Sequence, residues 1–579
     1  ADAMDFDDLL LYTFLLFRDH PDVLARYREQ FGYVLVDEYQ DTNIAQHNIV
    51  LQLAAHHGRV CVVGDDAQSI YSFRGADIDN ILSFTKAYPG TRVFKLERNY
   101  RSTQTIVRAA NSLIEKNQRQ IHKEVFSEKE KGEAIGVLRA YSDVEEAEII
   151  VKQIAGLRAR THCRYADFAI LYRTNAQSRV FEETLRKRGL PYRIYGGLSF
   201  YQRKEVKDVI AYFRLVVNPN DEEAFKRIVN YPKRGIGDTT VARLVTTASE
   251  RQTSVWDAAR HPAECGLSPA TAKKVEAFCN LVAGLMETAA TQDAYETGLQ
   301  VVRTSGILQD ICQDTSPENL ARKENIEELL NGMSDFCATR REEGDERVTL
   351  ADFLSEVSLL TDQDTDTGDD ADDDRLTLMT VHSAKGLEFR NVFVVGMEEG
   401  LFPSSMAGDS PRAMEEERRL FYVAITRAEE HCYLSYAKTR YRYGKMEFGA
   451  PSRFLQDIDA RYLDLPAGAL GPAGNIRTAT PYRQTEQPLP PSVRRRDGST
   501  PAAPRLQRIG TSAATQAPAT TSGPAAGLHE GQHIEHERFG LGEVVAIEGM
   551  GENAKATIRF QNAGQKVLLL RFARFKVVD

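Results

Sequence analysis

Two short apolar runs, residues 33–36 (Tyr-Val-Leu-Val) and 60–63 (Val-Cys-Val-Val), each stop abruptly at acids: Asp37-Glu38 after the first, and Asp65-Asp66 after Gly64 in the second. Runs this short, rich in β-branched residues and closed by polar turns, read as buried parallel strands, and α/β sheets carry their ligand sites at the carboxyl ends of such strands. Residues 1 to about 93 therefore read as α/β, with 9–17 as an amphipathic core helix. Taken alone, this pattern fits any doubly wound fold.

The habit continues over 94–195, where 92–96 reads as a strand, 103–114 as a helix and Phe168–Tyr172 as a strand. Residues 196–375 are helix-rich and are entered through Gly196-Gly197; strand patterns return at 376–381 and 392–395. A helical subdomain inserted into a second α/β lobe accounts for this order. Just before the strands return, 362–374 holds eight Asp in thirteen residues, whose mutual repulsion predicts a solvated loop. Residues 465–528, rich in Pro, Ala, Thr and Gly with Arg494-Arg495-Arg496 near the centre, read as a flexible linker. The last stretch, 529–579, has three apolar or alternating runs between Gly-rich turns, as in a small β-barrel; so few residues suit a docking module better than an enzyme.

Composition narrows the function classes. A formal net charge of -10 argues against coating nucleic acid non-specifically but leaves room for a local basic groove. The seven cysteines are scattered and form no CxxC pair, so a disulfide framework or zinc site is not expected and a reducing cytosol is. No apolar run approaches the roughly 20 residues that span a bilayer, so no membrane partner is expected, nor is a secretory leader.

The chemistry concentrates in five segments. In Tyr33-Val-Leu-Val-Asp-Glu38, extended by Tyr39-Gln-Asp-Thr-Asn43, Asp37 is placed to hold Mg²⁺ through its water shell, and Glu38 to orient and deprotonate an attacking water. In GDDAQSIYSFRGAD (64–77), Gln68 is a neutral donor suited to sensing a γ-phosphate. Tyr71 and Phe73 are two apart, so in an extended segment both rings share one side, next to Arg74. Aromatics beside Arg make a stacking platform for single-stranded bases, worth roughly 1–3 kcal/mol per base. For a lone Tyr-x-Phe ordinary packing is the better reading; after a Gly-Asp-Asp-x-Gln turn it is not.

DEYQDTN, GDDAQSIYSFRGAD, LERNYRS, LMTVHSAKGLEF (378–389) and EEERRLFYVAITRA (415–428) together resemble the motifs of the UvrD/PcrA/Rep branch of superfamily-one helicases, in the family's order, over about residues 5 to 460. The resemblance implies two RecA-like doubly wound lobes, with ATP and Mg²⁺ in the cleft between them and single-stranded DNA across the top. Residues 1–93 would be the rest of the first lobe, the first 20 or so coming from the junction with an accessory subdomain. Residues 94–195 and 376–464 would be the second lobe, 196–375 the inserted helical subdomain, and 529–579 a Tudor-like barrel docking to RNA polymerase or repair proteins. It further implies a cytoplasmic DNA-repair helicase that moves 3′ to 5′ and acts on single-stranded DNA and single-strand/duplex junctions.

Residue by residue, the resemblance implies that Arg101 and Arg427 reach the γ-phosphate from across the cleft, a role suited to a planar, permanently charged guanidinium. Tyr100 would stack on adenine and Glu388 accept from the ribose hydroxyls. Thr380, His382 and Tyr443 would line the DNA track, Tyr443 within Arg440-Tyr-Arg-Tyr443, where rings and cations interleave, and Lys385 would contact phosphate. Arg98 and Arg418-Arg419 are better read as surface ion pairs. In Tyr231-Pro-Lys-Arg-Gly-Ile-Gly-Asp238, Gly235 and Gly237 would let the following helix amides grip a duplex phosphate, with Lys233 and Arg234 adding charge.

Two departures stand out. Phe73 replaces the family's usual Trp, a smaller stacking face. No G-x-x-x-x-G-K-[ST] occurs in the 579 residues, so no such loop of amides with its Lys cradles the phosphates. In the family that loop, an adenine-reading Gln motif and most of an accessory subdomain precede Asp5-Phe-Asp-Asp8. The chain, which opens Ala-Asp-Ala-Met, is therefore expected to be a C-terminal portion that does not hydrolyse ATP alone. Two alternatives remain at this stage: a helicase-nuclease of the RecB/AddA kind, and a non-catalytic DNA-binding or polymerase-docking fragment.

Overall fold

A computed structural model describes residues 3–362, 374–408, 410–442, 445–466, 528–549 and 554–578. Tyr443, most of the acidic run, and linker residues 467–527 with Arg494–Arg496 lie outside the described residues.

The chain opens on helix Phe6–Asp19, closed at its start by a reciprocal capping box in which the Asp5 carboxylate accepts from the Asp8 amide and Asp8 answers at the Asp5 amide. Only Phe17 of this helix is buried, so 9–17 is not the core helix that its pattern suggests. Strands β1 (Val34–Val36) and β2 (Val60–Val62) pair in parallel as a two-stranded sheet. Their inward residues Val34, Val36, Val60 and Val62 pack against Tyr39, Val50 and Phe84. Leu35 between them is 77% exposed, and Cys61 also faces outward. The expectation of strands buried on both faces is thus overturned. One face alone carries a helical layer, and period-two alternation sends every second residue to water.

Residues 92–96 are not a strand either; the ladder begins two residues later, where β3 (Arg98–Asn99) pairs with β4 (Phe126–Ser127). Helix Gln104–Ile114 follows as expected. Eight further strands then build the main sheet: β5 (Ile135–Ser142), β6 (Phe168–Tyr172), β7 (Tyr192–Ile194), β8 (Leu376–Thr380), β9 (Phe389–Val394), β10 (Ala428–Arg442), β11 (Lys445–Phe448) and β12 (Leu463–Asp464). Their order is β12-β5-β10-β9-β6-β8-β7, every ladder on this path is parallel, and β11 folds back antiparallel on β10. Helices Gln104–Ile114 and Pro411–Ile425 cover one face, and Asp143–Thr161 and Ser178–Lys187 the other. That two-sided cover explains why β6, Phe-Ala-Ile-Leu-Tyr, is apolar throughout and buried at all five positions.

Between β7 and β8 the chain is helical, from Lys204–Val217 to Leu350–Asp362. These helices share one core that includes Tyr212, Phe213, Phe225 and Phe278. The longest, Pro317–Glu343, starts in the manner its sequence dictates, with Ser316 accepting from the Asn319 amide and Pro in the first turn.

At the C-terminal end β13 (His533–His536), β14 (Gly540–Glu548), β15 (Lys555–Phe560), β16 (Gly564–Leu569) and β17 (Phe575–Val577) form one antiparallel sheet in the order β16-β15-β14-β13-β17. Ile534, Phe539, Val544, Ile558, Phe560 and Leu568 fill its core. The expected barrel is realised as a linear ladder: β16 and β17 are its edges and do not pair with each other among the described residues.

Candidate functional site

The carboxyl end of β1 turns sharply because Glu38 adopts a left-handed backbone, φ 49 and ψ 40, rare for a residue with a Cβ. A short 3-10 turn, Tyr39–Asp41, follows and buries Gln40 completely. From there the Gln40 amide donates to Glu38 Oε2 at 2.5 Å, and its Oε1 accepts from the Asp65 amide at 3.0 Å. One buried side chain thereby ties the two acidic strand ends together. Gly64 makes room for it, since a Cβ there would lie 2.4 Å from Gln40 Oε1. Asp37 and Glu38 themselves are exposed.

The second acidic turn is held from elsewhere in the chain. Gln68 Nε2 donates to Asp65 Oδ2 at 2.8 Å, while Lys123 pairs with both Asp65 and the buried Asp66. These two carboxylates raise the affinity of the Lys123 ammonium for its proton against the opposing effect of burial, the largest single influence. Sequence reasoning missed Lys123, a lone Lys in His-Lys-Glu that carries no local signal.

Lys385, in the loop after β8, reaches across to the first acidic turn. It pairs with Asp41, donates to the Gln68 carbonyl at 2.9 Å, lies 3.5 Å from Glu38 Oε2, and sits 5.3 Å from the Tyr71 ring centre. Burial raises the Asp41 pKa, and Lys385 works against that shift. The expected phosphate contact is thus an acid contact in this structure.

Three residues further on, Glu388 Oε2 accepts from Arg101 Nε at 2.5 Å. Arg101 Nη1 also reaches the Thr426 carbonyl at 3.2 Å, and Arg427 Nη1 the Leu387 carbonyl at 3.2 Å. Burial first, then the neighbouring Arg101, pull the Arg427 pKa down to about 10. Arg101, Arg427 and Glu388 are therefore brought together, and the segment from Lys385 to Glu388 connects them to Glu38, Asp41 and Gln68. Tyr100 offers a ring 72% exposed, with the Arg98 guanidinium 4.8 Å above it. Arg98 is the surface ion pair expected, with Glu128 at 2.5 Å. Arg418 pairs with Asp457 and is half-buried, while the buried Arg419 pairs with Glu415 one turn back and donates to the Arg119 carbonyl at 3.1 Å, so the two tie helix Pro411–Ile425 to its surroundings, which corrects their reading as surface charges.

The aromatic cluster forms by a different route from the one expected. Ser72–Arg74 is a 3-10 turn and not extended, yet the Tyr71 and Phe73 ring centres are 6.1 Å apart. His382 supplies a third ring, edge-on to Phe73 at 5.3 Å, and its carbonyl accepts from the Tyr71 hydroxyl at 3.2 Å. Arg74 lies 5.5 Å from the Phe73 ring centre. Burial, with Arg173 and Arg74 adding to it, lowers the His382 pKa to about 3, so the imidazole is neutral. Thr380 caps the turn, its Oγ1 accepting from the Ser383 amide at 3.2 Å.

Two expected cations are spent internally. Arg234 donates to the Ile228, Pro232 and Ser305 carbonyls and to the Tyr212 hydroxyl, so it braces its own loop and is not free for phosphate. Arg440 is held, mostly out of solvent, between the buried Glu146 and Glu398. Beside Gly235, whose φ is +72, stands Lys274, which the motif does not include; a Cβ on Gly235 would come within 2.6 Å of its ammonium. Gly237 caps helix Asp238–Glu250 with open space around it, and Lys233 is exposed.

Comparison with known sequences fits this arrangement. Residues 1–89 match the UvrD/REP helicase N-terminal domain, 94–439 the UvrD-like helicase C-terminal domain, and 531–576 the PcrA/UvrD tudor domain. The chain belongs to the UvrD-like helicase family. Similar relatives of this family include the ATP-dependent DNA helicase PcrA of Leuconostoc citreum, 38% identical over 100% of this chain and 75% of the relative. DNA helicase II of Escherichia coli is 38% identical over the same shares, and PcrA of Bacillus subtilis 39% identical over 99% of this chain and 74% of its own. The match of residues 1–89 to a helicase domain lends no support to the expectation that these 579 residues are inert towards ATP. No helix among the described residues is long and apolar enough to cross a membrane.

Proposed function

We propose that this protein is an ATP-dependent DNA helicase that moves 3′ to 5′ along single-stranded DNA and opens single-strand/duplex junctions during DNA repair in the cytoplasm. The observation that carries the reading is the segment from Lys385 to Glu388, which touches the acids of one unit and the arginines of the other. A ligand wedged at this seam changes the relation of the two units, which is what a translocating ATPase requires.

In this reading Glu38, aimed by its left-handed backbone, orients and deprotonates the attacking water, and Gln68 senses the γ-phosphate from its seat on Asp65. Asp37 and Glu38 offer an all-oxygen, exposed donor pair, which suits a hard cation bound by one or two carboxylates plus substrate phosphates. These two carboxylates would hold Mg²⁺, which when bound would supply positive charge to the phosphates. Arg101 and Arg427 stabilise the transferring phosphoryl group, Arg101 being drawn from Glu388 as the triphosphate arrives. Tyr100 stacks on adenine, and the freed Glu388 accepts from the ribose. Tyr71, Phe73 and His382, with Thr380 holding the turn, pass bases along as the seam opens and closes. The amides that follow Gly237, with Lys233 and Lys274 nearby, grip duplex phosphate. The C-terminal module docks to RNA polymerase or repair proteins.

The decisive assay measures DNA-stimulated phosphate release and strand separation on duplexes with 3′ or 5′ tails. Glu38→Gln is expected to keep DNA affinity and lose turnover at least a hundredfold. Wild-type turnover in that variant removes Glu38 as the base, and unwinding from 5′ tails alone overturns the polarity.

A further inference from the structure

The helix Pro317–Glu343 carries Glu328, Asp335 and Glu342 at seven-residue intervals. Seven residues are almost two full turns, so the three carboxylates share one stripe. All lie in contact with other parts of the chain, and the cations that meet them come from two different places. Arg179, on helix Ser178–Lys187 against the main sheet, pairs with Glu328 at 2.7 Å and approaches Asp335 at 3.7 Å. Glu342 is met by the C-terminal module, through His536 Nε2 at 3.5 Å and Arg538 Nη1 at 3.7 Å. Arg538 also offsets part of the burial that raises the Asp335 pKa to about 6. Among the described residues, Glu342, the one carboxylate of the stripe that Arg179 does not meet, takes its partners from the module.

The same module grips the main sheet at the end of β5. Ser142 Oγ donates to the Arg538 carbonyl at 2.6 Å, and Asn562 Nδ2 donates to Glu145 Oε1 at 3.0 Å. Lys438 of β10 faces Glu535 at 3.5 Å. Gly540 lets the surfaces close, because a Cβ there would lie 2.3 Å from Glu145 Oε1. His536, fully buried, is stacked on Phe539 at 5.0 Å, so the edge that faces Glu342 is set by the module's own core.

The ionic centre of this junction is nevertheless under-bonded. Glu342 Oε2, His536 Nε2, and Arg538 Nε and Nη1 are buried without a hydrogen-bond partner among the described residues. Buried charges paired at such distances return little more than the desolvation they cost. A junction built this way is specific in register yet weak enough to open.

We propose that the C-terminal module is a releasable clamp, which when docked fastens the helical segment to the main sheet and restrains their relative rotation. Its occupant is this chain's own surface, and a partner that takes the face around His536 and Arg538 frees the helical segment. The inference does not depend on the proposed catalytic roles.

Hydrogen–deuterium exchange on the full chain tests it. Glu342→Ala is expected to raise exchange about tenfold, together, in residues 142–146, 536–541 and the connection 195–199 that leads from β7 into the helices, while β15 and β16 keep their protection. Asn562→Ala, on the rim and outside the module's core, is expected to give the same pattern at about threefold, and covers the case in which Glu342→Ala unfolds its helix. Unchanged exchange at 142–146 in the Asn562 variant, or a rise there without one at 195–199, overturns the clamp.

Discussion

Replacing Phe73 with alanine isolates the stacking platform from everything else at the seam. Phe73 is 48% exposed and touches the rest of the molecule mainly through the edge of His382 and the Arg74 guanidinium. Its removal is therefore expected to cost folding under about 1 kcal/mol, the range of substitutions outside a core. A base that stacks on it loses about 1–3 kcal/mol, which is roughly a 5- to 150-fold weaker dissociation constant. The assay is fluorescence anisotropy with a labelled oligothymidine at fixed salt, since phosphate contacts make affinity strongly salt-dependent. Phe94, 82% exposed, is the control, because its substitution by alanine removes an equally large exposed ring outside the aromatic cluster. The Phe73→Trp variant, with a larger face, is expected to bind a few-fold tighter than wild type. If Phe73→Ala binds within twofold of wild type at unchanged melting temperature, or if Phe94→Ala loses as much, the stacking argument is refuted.

Other outcomes follow from the same geometry. Gly64→Ala drives a Cβ into Gln40 and is expected to cost about 1–3 kcal/mol by overpacking, read as a drop in urea midpoint; an unchanged midpoint would mean that Gln40 has somewhere else to go. Lys385→Met leaves the partly buried Asp41 without its cation and is expected to destabilise by about 1–3 kcal/mol, measured by calorimetry, with a further rise of the Asp41 pKa seen by carbon NMR. His382, with its folded pKa held near 3, takes a proton far more readily when unfolded, so stability rises with pH between about 3 and the ordinary imidazole value and is flat above it. Its ring NMR shifts are expected to stay at the neutral position from pH 8 down to about 4, and a titration near 6.5 contradicts the burial argument.

Much of the architecture was legible because periodicity reports burial. A run such as Phe168–Tyr172, apolar at every position, announces a strand covered on both faces, and it is one. The same rule misjudged β1 and β2, since an apolar run says what a strand tolerates and not how many layers surround it; Leu35 and Cys61 alternate outward. The shift from 92–96 to β3 has a similar origin. Val93, Phe94 and Leu96 are strand-forming residues, but no strand among the described residues pairs with them, and they are exposed and irregular.

Site residues divide along a related line. Residue types and local spacing pointed to Glu38, Gln68, Tyr71 and Phe73, and the family resemblance to Arg101 and Arg427, whose chemistry is intrinsic to the side chain. What they touch is a matter of long-range partners: Lys385 meets Asp41 across 344 positions and His382 meets Tyr71 across 311. Arg234 makes the point most sharply. A guanidinium beside a Gly-x-Gly turn suits a phosphate, yet its five donors go wherever acceptors are already placed, and here three carbonyls and a tyrosine hydroxyl stand within 3.2 Å. Those acceptors lie on Ile228, Pro232, Ser305 and Tyr212, and only folding assembles them. Lys274, 39 positions from Gly235 and outside any motif, joins the exposed Lys233 beside the turn. A cation's duty in a folded chain follows from which acceptors reach it first, so a motif fixes the chemistry that can occur at a turn more firmly than it fixes the residue that performs it.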